Sequence, residues 1–207
     1  TAPTEANAWP NVRIRVTFPS TGTATKIGCS NDAFAIRPDS FLINSATDTD
    51  WQTAGTTRAL NNVAASGGVV HKAGRPYTIQ ATSRNAAGVT TTGYSGTPLV
   101  FPTNMLQPDP SSCLSCVLGR VLTGGWTSAA GVITTTSAKY SEVGAFSMEI
   151  EDRSFAQVDV ADSTATERYI SSGPFNTGRF VPDHYDLVAL NAPQLKTFNT
   201  DDSTCSA

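Results

Sequence analysis

The chain has 207 residues, of which only 15% are charged, and its formal net charge is −3. Its basic residues occur singly, which argues against the clustered basic face of a nucleic-acid-binding protein and against a polybasic membrane-binding patch. No apolar run approaches the roughly 18 residues that would span a bilayer as a helix, so no membrane insertion is expected.

The first predicted strands lie in the N-terminal fifth of the chain. "NVRIRVTF" has the alternation typical of a half-buried strand. Its apolar face consists of Val12, Ile14, Val16 and Phe18. "FAIRPDSFLI" follows, and Pro38 restricts it to an edge strand or to a break between two short strands.

The middle of the chain continues this pattern. "PYTIQATSR" alternates Tyr77, Ile79 and Ala81 against polar partners, and "VTTTGYSGTPLVF" is rich in β-branched residues. Further on, "GVITTTSAKY" and "AFSMEIED" predict two more strands, with a turn at "EVG" between them. Val132, Thr134 and Thr136 belong to the first of these strands. Phe146, Met148 and Ile150 line one face of the second.

No segment of helical length has apolar residues at helical spacing. Short strands recur at intervals of roughly 8–12 residues, separated by turn-forming sequences. The sequence therefore predicts an all-β fold, an immunoglobulin-like antiparallel β-sandwich, either single or as one of a tandem series.

A repeated motif suggests where such a series would be divided. Pro38-Asp39 in "IRPDSFLI" and Pro182-Asp183 in "FVPDHYDLV" are 144 residues apart, about one domain length. Each Pro-Asp is interpreted as a domain junction, since proline stiffens a hinge and aspartate can bind a nearby backbone N–H. Residues 34–177 would then form one sandwich. Residues 1–33 would be the tail of a preceding domain or an exchanged strand, and residues 178–207 the junction and first strand of a following domain.

Several of these strings together resemble a known family. "VRIRVTFPSTGTATKIGCSNDAFAIRP", "AGRPYTIQATSRNAAG", "TTTGYSGTP", "YSEVGAFSMEIED" and "GRFVPDHYDL" are similar to the repeated-β region of MshQ-like proteins of the mannose-sensitive haemagglutinin type IV pilus. The resemblance extends from about Val12 to Leu187. It implies an exported, pilus-associated protein on the surface of a Gram-negative bacterium, and it offers no catalytic residues to carry over.

The four cysteines allow more than one arrangement. Cys113 and Cys116 in "CLSC" have the spacing of a local disulfide, of a redox pair or of half a zinc site, and the disulfide is preferred because no helical context or further ligands accompany them. Cys29 and Cys205 either pair with each other, pair within neighbouring domains or stay free. Disulfides are typical of oxidising compartments.

Tryptophans and acidic residues supply the other candidate sites. Trp126, between Gly125 and Thr127, is the tryptophan most suited to stacking on a ligand, whereas Trp9 and Trp51 are expected to anchor a core or a junction. No metal site is predicted and no cofactor is implied. The acidic residues Asp48, Asp50, Asp201 and Asp202 are interpreted as solvated loop acids, with calcium at a domain junction as the alternative.

The sequence thus predicts a non-catalytic structural or adhesive module, extracellular or on the cell surface. Its expected partners are neighbouring domains of the same protein or pilus components. Two alternatives stay open. One is a carbohydrate- or surface-binding module, and the other is a filament subunit that assembles by exchange of the N-terminal strand.

Overall fold

The computed structural model describes residues 5–49 and 55–188, and in these ranges the chain is almost entirely β. The strands are β1 (Trp9–Val12), β2 (Arg15–Phe18), β3 (Lys26–Cys29), β4 (Phe34–Ile36), β5 (Ser40–Thr49), β6 (Thr57–Ala59), β7 (His71–Lys72), β8 (Tyr77–Arg84), β9 (Leu99–Gln107), β10 (Val121–Leu122), β11 (Thr127–Ala129), β12 (Val132–Tyr140), β13 (Gly144–Asp152), β14 (Ile170–Ser172) and β15 (Phe175–Val181). One 3₁₀ turn (Gln157–Asp159) and the short helix α1 (Ala165–Arg168) complete the structure.

The long strands form two hydrogen-bonded groups that enclose the core. In the first, the order is β10-β12-β8-β5, with β6 beside β5 and β11 beside β12. In the second, β13 is paired with β9, β14 and β15. Strand β14 belongs to both groups, since it pairs with β13 on one side and with β5 on the other. The all-β sandwich predicted from the sequence is confirmed.

The strand pairing differs in one respect from a purely antiparallel sandwich. Most pairs are antiparallel, but β14 runs parallel to β5 and β15 runs parallel to β7. Both parallel contacts are short, with two residue pairs each. They occur where a chain segment crosses from one group of strands to the other.

Two predicted strand faces are confirmed by burial. In β8, Tyr77, Ile79 and Ala81 are buried and alternate with half-buried polar residues. In β13, Phe146, Met148 and Ile150 are fully buried. The predicted strand containing Val132 is also present as β12, and its first buried positions, Ile133 and Thr135, alternate with the predicted ones. The register shifts between Thr135 and Ala138, after which Ala138 and Tyr140 are buried.

The N-terminal prediction was wrong. "NVRIRVTF" is not one half-buried strand but is divided between β1, which pairs with β4, and β2, which pairs with β3 in a separate hairpin. Its apolar side chains lie on the surface, with Ile14, Val16 and Phe18 54%, 64% and 69% exposed. The alternation is real, but among the described residues no second layer packs on it.

The Pro-Asp segments bear on the predicted division of the chain. As expected, Pro38 separates two strands, because β4 ends at Ile36 and β5 begins at Ser40. Strand β15, however, runs through the predicted boundary after residue 177, and Phe180 is a core residue with 1% of its surface exposed. Ala8, in the predicted tail, is equally buried. The three-part division itself stays a prediction.

Candidate functional site: the entry and exit junctions

The two Pro-Asp segments lie at opposite ends of the sandwich, as the strand register shows. Ser40, the first residue of β5, pairs with Arg84 at the end of β8 and with Ser171 in β14. Ser171 in turn pairs with Glu151, one residue before the end of β13. We call this the entry end. Phe180, near the end of β15, pairs with Gly144 at the start of β13 and with His71 in β7. We call this the exit end. The chain therefore enters the sandwich at one end and leaves it at the other.

At the entry end, the segment before Pro38 is fixed to the turn and helix that follow β13. The Ala35 amide donates to Asp159 Oδ2 at 3.0 Å, and Arg37 Nε donates to the Glu167 carbonyl at 2.5 Å. The Asp39 amide donates to the Arg84 carbonyl at 2.8 Å, while the residue itself is exposed. Pro38 is buried, so this junction is packed against the sandwich.

At the exit end, Asp183 anchors the chain by its side chain. Its carboxylate accepts a hydrogen bond from Arg75 Nε at 2.6 Å and lies 3.2 Å from Lys72 Nζ, which also donates to the Asp183 carbonyl at 2.8 Å. The two cations flank the tight turn between β7 and β8, where Gly74 has a φ of 76°. The hydrogen bond from Arg75, reinforced by Lys72, holds the pKa of the Asp183 carboxyl well below its usual range.

The lowered pKa of Asp183 gives a testable pH dependence. A carboxyl whose pKa is depressed by folding contributes stability above its unfolded pKa of about 4 and loses it as the pH falls towards the folded value. Anchoring of the exit segment should therefore be constant from neutral pH down to about pH 4.

Substitution of Asp183 tests this anchoring. We expect Asp183→Asn to lower the hydrogen-exchange protection of the Ala73 amide, which donates to the Val181 carbonyl at 2.8 Å beside the ion pair. The matched control is Asp186→Asn, since this acid is 87% exposed and lies beyond the anchor. Equal protection in the two variants, measured by nuclear magnetic resonance, would contradict the anchoring role.

A buried ionic cluster supports the exit end from inside. Arg58 Nη2 and His71 Nδ1 each lie 2.6 Å from Asp48 Oδ2, and the Asp48 side chain is fully buried. His71 Nε2 faces the Arg75 carbonyl at 3.3 Å, which links the cluster to the turn that binds Asp183. The prediction that Asp48 is a solvated loop acid was wrong, because it lies in β5 with its side chain fully buried. Arg58 and His71 bind the carboxylate that a calcium ion would need. The other loop acids considered, Asp50, Asp201 and Asp202, lie outside the described residues.

The predicted local disulfide is present. Cys113 and Cys116 are joined, with their Cα atoms 5.4 Å apart, and the Cys116 amide donates to the Cys113 carbonyl at 3.1 Å. Leu114, between them, is 94% exposed, so the bridge closes a surface loop. Cys29 is exposed and forms no disulfide within the described residues. Cys205 lies outside those residues, so a bridge between it and Cys29 stays a prediction.

Trp126 packs against the core and is not an open surface on which a ligand could stack. Its ring is half-buried against the core, and its Nε1 donates to the Pro98 carbonyl at 2.8 Å. Trp9 is the more exposed of the two at 48%, and Trp51 lies outside the described residues. A ligand-binding role for Trp126 stays a prediction, and the arrangement gives this ring a packing role.

A buried tyrosine and aspartate, Tyr94 and Asp152, are engaged in structural contacts. Tyr94 donates to Asp152 Oδ2 at 2.5 Å, and burial raises the pKa of the Tyr94 hydroxyl strongly. Asp152 Oδ1 accepts from the amides of Ser154 and Phe155. In the part of the chain that the structure describes, no group of three or more histidine, cysteine or acidic residues could hold a metal ion. No helix there has the length and apolar character needed to cross a membrane.

Sequence reasoning missed the partners at the exit end. Lys72, Arg75 and Asp183 are brought together by the parallel pairing of β7 with β15, and Asp48, Arg58 and His71 come from three separate segments. Only the spacing of Lys72 and Arg75 around a glycine turn could have indicated a cation pair. Comparison of the chain with family models, with curated proteins and with solved structures finds no match.

Proposed function

We propose that this chain is a non-catalytic structural module of an exported, pilus-associated surface protein, in which it acts as a stiff spacer between neighbouring domains. The observation that carries the proposal is the position of the two junctions at opposite ends of the sandwich. Domains joined through such junctions follow one another head to tail, and each adds about one strand length, roughly 30 Å, to the array.

The same geometry favours resistance to tension. A force applied at the two junctions pulls β5 towards the entry end and β15 towards the exit end, along their own axes. Each strand is held by a long ladder, β5 by β8 from Ser40 to Thr47 and β15 by β13 from Phe175 to Phe180. Antiparallel hydrogen bonds are perpendicular to the strands, so such a force must break many bonds together.

Three further features support a structural role. The Cys113–Cys116 disulfide is typical of proteins that mature in oxidising compartments. Both junctions are fixed by hydrogen bonds or ion pairs rather than left as open linkers. The buried acids Asp48 and Asp152 are both satisfied by structural partners, which leaves neither of them as a free catalytic base.

Single-molecule pulling tests the spacer proposal. Handles at Asp39 and His184 load β5 and β15 lengthwise, whereas handles at Asp39 and Ala86, both at the entry end, separate β5 from β8 one bond at a time. We expect a clearly higher rupture force for the first pair of handles. Equal forces, or a lower force for the end-to-end pair, would contradict the proposal.

A further inference from the structure

The hairpin of β2 and β3 has an uncovered sheet face and an open edge. Within the described residues, β2 pairs only with β3, so its other edge presents unpaired backbone groups. Val16 and Phe18, which are 64% and 69% exposed, lie on one face of β2. Arg15 and Thr17 lie on the other face, and Arg15 is exposed. Open apolar edges of this kind are templates for a further strand.

The exit segment has the complementary pattern. Residues 183–188 form no strand in the described structure, although "DHYDLV" repeats the plan of the sequence that opens β5. Phe41, in β5, is 4% exposed, whereas Tyr185, at the equivalent position of the repeat, is 88% exposed and Leu187 is fully exposed. Asp186 is 87% exposed, and its Oδ1 lies 3.8 Å from His184 Nε2.

The two elements match residue by residue. In an extended strand, Tyr185 and Leu187 lie on one face and Asp186 on the other. Added to the open edge of β2, such a strand places Tyr185 and Leu187 beside Val16 and Phe18. It also places the Asp186 carboxylate on the same face as the Arg15 guanidinium. Apolar and charged positions thus agree on both faces at once.

The two elements are attached at opposite ends of one copy of the chain. The hairpin is joined through β1 and β4 to the entry end, where β4 and β1 contact the 3₁₀ turn at Gln157–Asp159. Residues 183–188 leave from the exit end, about one strand length of roughly 30 Å away. A contact between unlike surfaces is heterologous, so it continues from copy to copy and forms a filament, or a ring where the rotation between copies closes.

We propose that the open edge of β2 binds residues 183–188 of a second copy of this chain, as a third strand added to the hairpin. This inference rests on the proposed spacer function and names its partner: the module ahead in the array. Backbone hydrogen bonds hold the added strand, Tyr185 and Leu187 cover the apolar face, and the Arg15–Asp186 pair fixes orientation.

Charge reversal tests the contact by sedimentation over a wide concentration range at low salt. The background carries Cys29→Ser and Cys205→Ser, so that no disulfide between copies can imitate assembly. We expect Arg15→Glu and Asp186→Arg each to weaken self-association about tenfold or more, because like charges then face each other. The double variant Arg15→Glu/Asp186→Arg should return association to nearly the original level.

Matched controls separate this contact from general charge effects. Lys139→Glu and Glu142→Arg make the same charge changes at exposed positions outside both elements and should leave association unchanged. A labelled peptide of residues 182–188 should bind the chain and compete with self-association.

Two results would overturn the proposal: a chain that stays monomeric and does not bind the peptide, or association that neither single reversal weakens. Either result, combined with a high end-to-end rupture force, would overturn this inference alone and leave the spacer function standing.

Discussion

Replacement of Phe180 by alanine will lower the free energy of unfolding by about 3–5 kcal/mol, the range for a large aromatic residue removed from a packed core. Phe180 is 1% exposed, and its ring lies 5.1 Å from that of Tyr140 and 5.4 Å from that of Tyr77. The cavity would open where β15 packs on β8 and β12. Chemical denaturation followed by tryptophan fluorescence measures the change.

The matched control is Tyr185→Ala, which removes an aromatic ring five residues further along the same segment. Tyr185 is 88% exposed, so its loss should change the stability of the monomer by less than about 0.5 kcal/mol. If Phe180→Ala lowers the free energy of unfolding as little as this control does, residues 178–181 do not belong to the sandwich. The predicted boundary after residue 177 would then be correct.

Replacement of Asp48 by asparagine should lower the free energy of unfolding by about 3–5 kcal/mol, the cost of breaking a buried ion pair by removal of one partner. The substitution keeps the shape of the side chain but removes the charge that Arg58 and His71 share. His71 is 4% exposed and packs edge-on against Tyr77 and Phe180, so its ring cannot move to solvent without disturbing the core.

Asp162→Asn is the control for this variant. Asp162 is exposed, and the nearby charge of Asp32 raises the pKa of its carboxyl, so its ionised form is opposed rather than stabilised. This substitution should change stability by less than about 0.5 kcal/mol. If Asp48→Asn and Asp162→Asn lower the free energy of unfolding equally, the buried cluster contributes no more to stability than a surface acid does.

Local patterns in the sequence predicted those features that depend on local geometry. Tyr77, Ile79 and Ala81 are buried because a half-buried strand directs alternate side chains inwards. The Cys113–Cys116 bridge follows from two cysteines close enough to pair within one turn. The break at Pro38 follows from a residue that cannot donate to a ladder.

Features that depend on what covers a strand were not predictable. The alternation in β2 is as regular as that in β8, yet Val16 and Phe18 are exposed, because the pattern specifies a face and not the layer that packs on it. The same limit applies to the repeated motif. Phe41 is buried and Tyr185 is exposed, although the sequence around them is nearly the same.

The polar contacts at the exit end illustrate a second limit. Asp183 lies 108 residues from Arg75 along the chain, and the two meet only because β15 and β7 pair in parallel. No spacing rule connects such distant positions. The junction role of Asp183 was inferred from its place after Pro182, whereas its cation partners are set by the topology of the whole sandwich.

The distance between the two junctions tests the central claim most directly. Spin labels attached through Asp39→Cys and His184→Cys, with Cys29 and Cys205 replaced by serine, report this distance in solution. If the chain enters at one end of the sandwich and leaves at the other, a narrow distribution centred at about 25–35 Å is expected, close to the length of a nine-residue strand. A separation below about 15 Å, which is what two positions at the same end of sheets packed about 10 Å apart would give, would contradict the account.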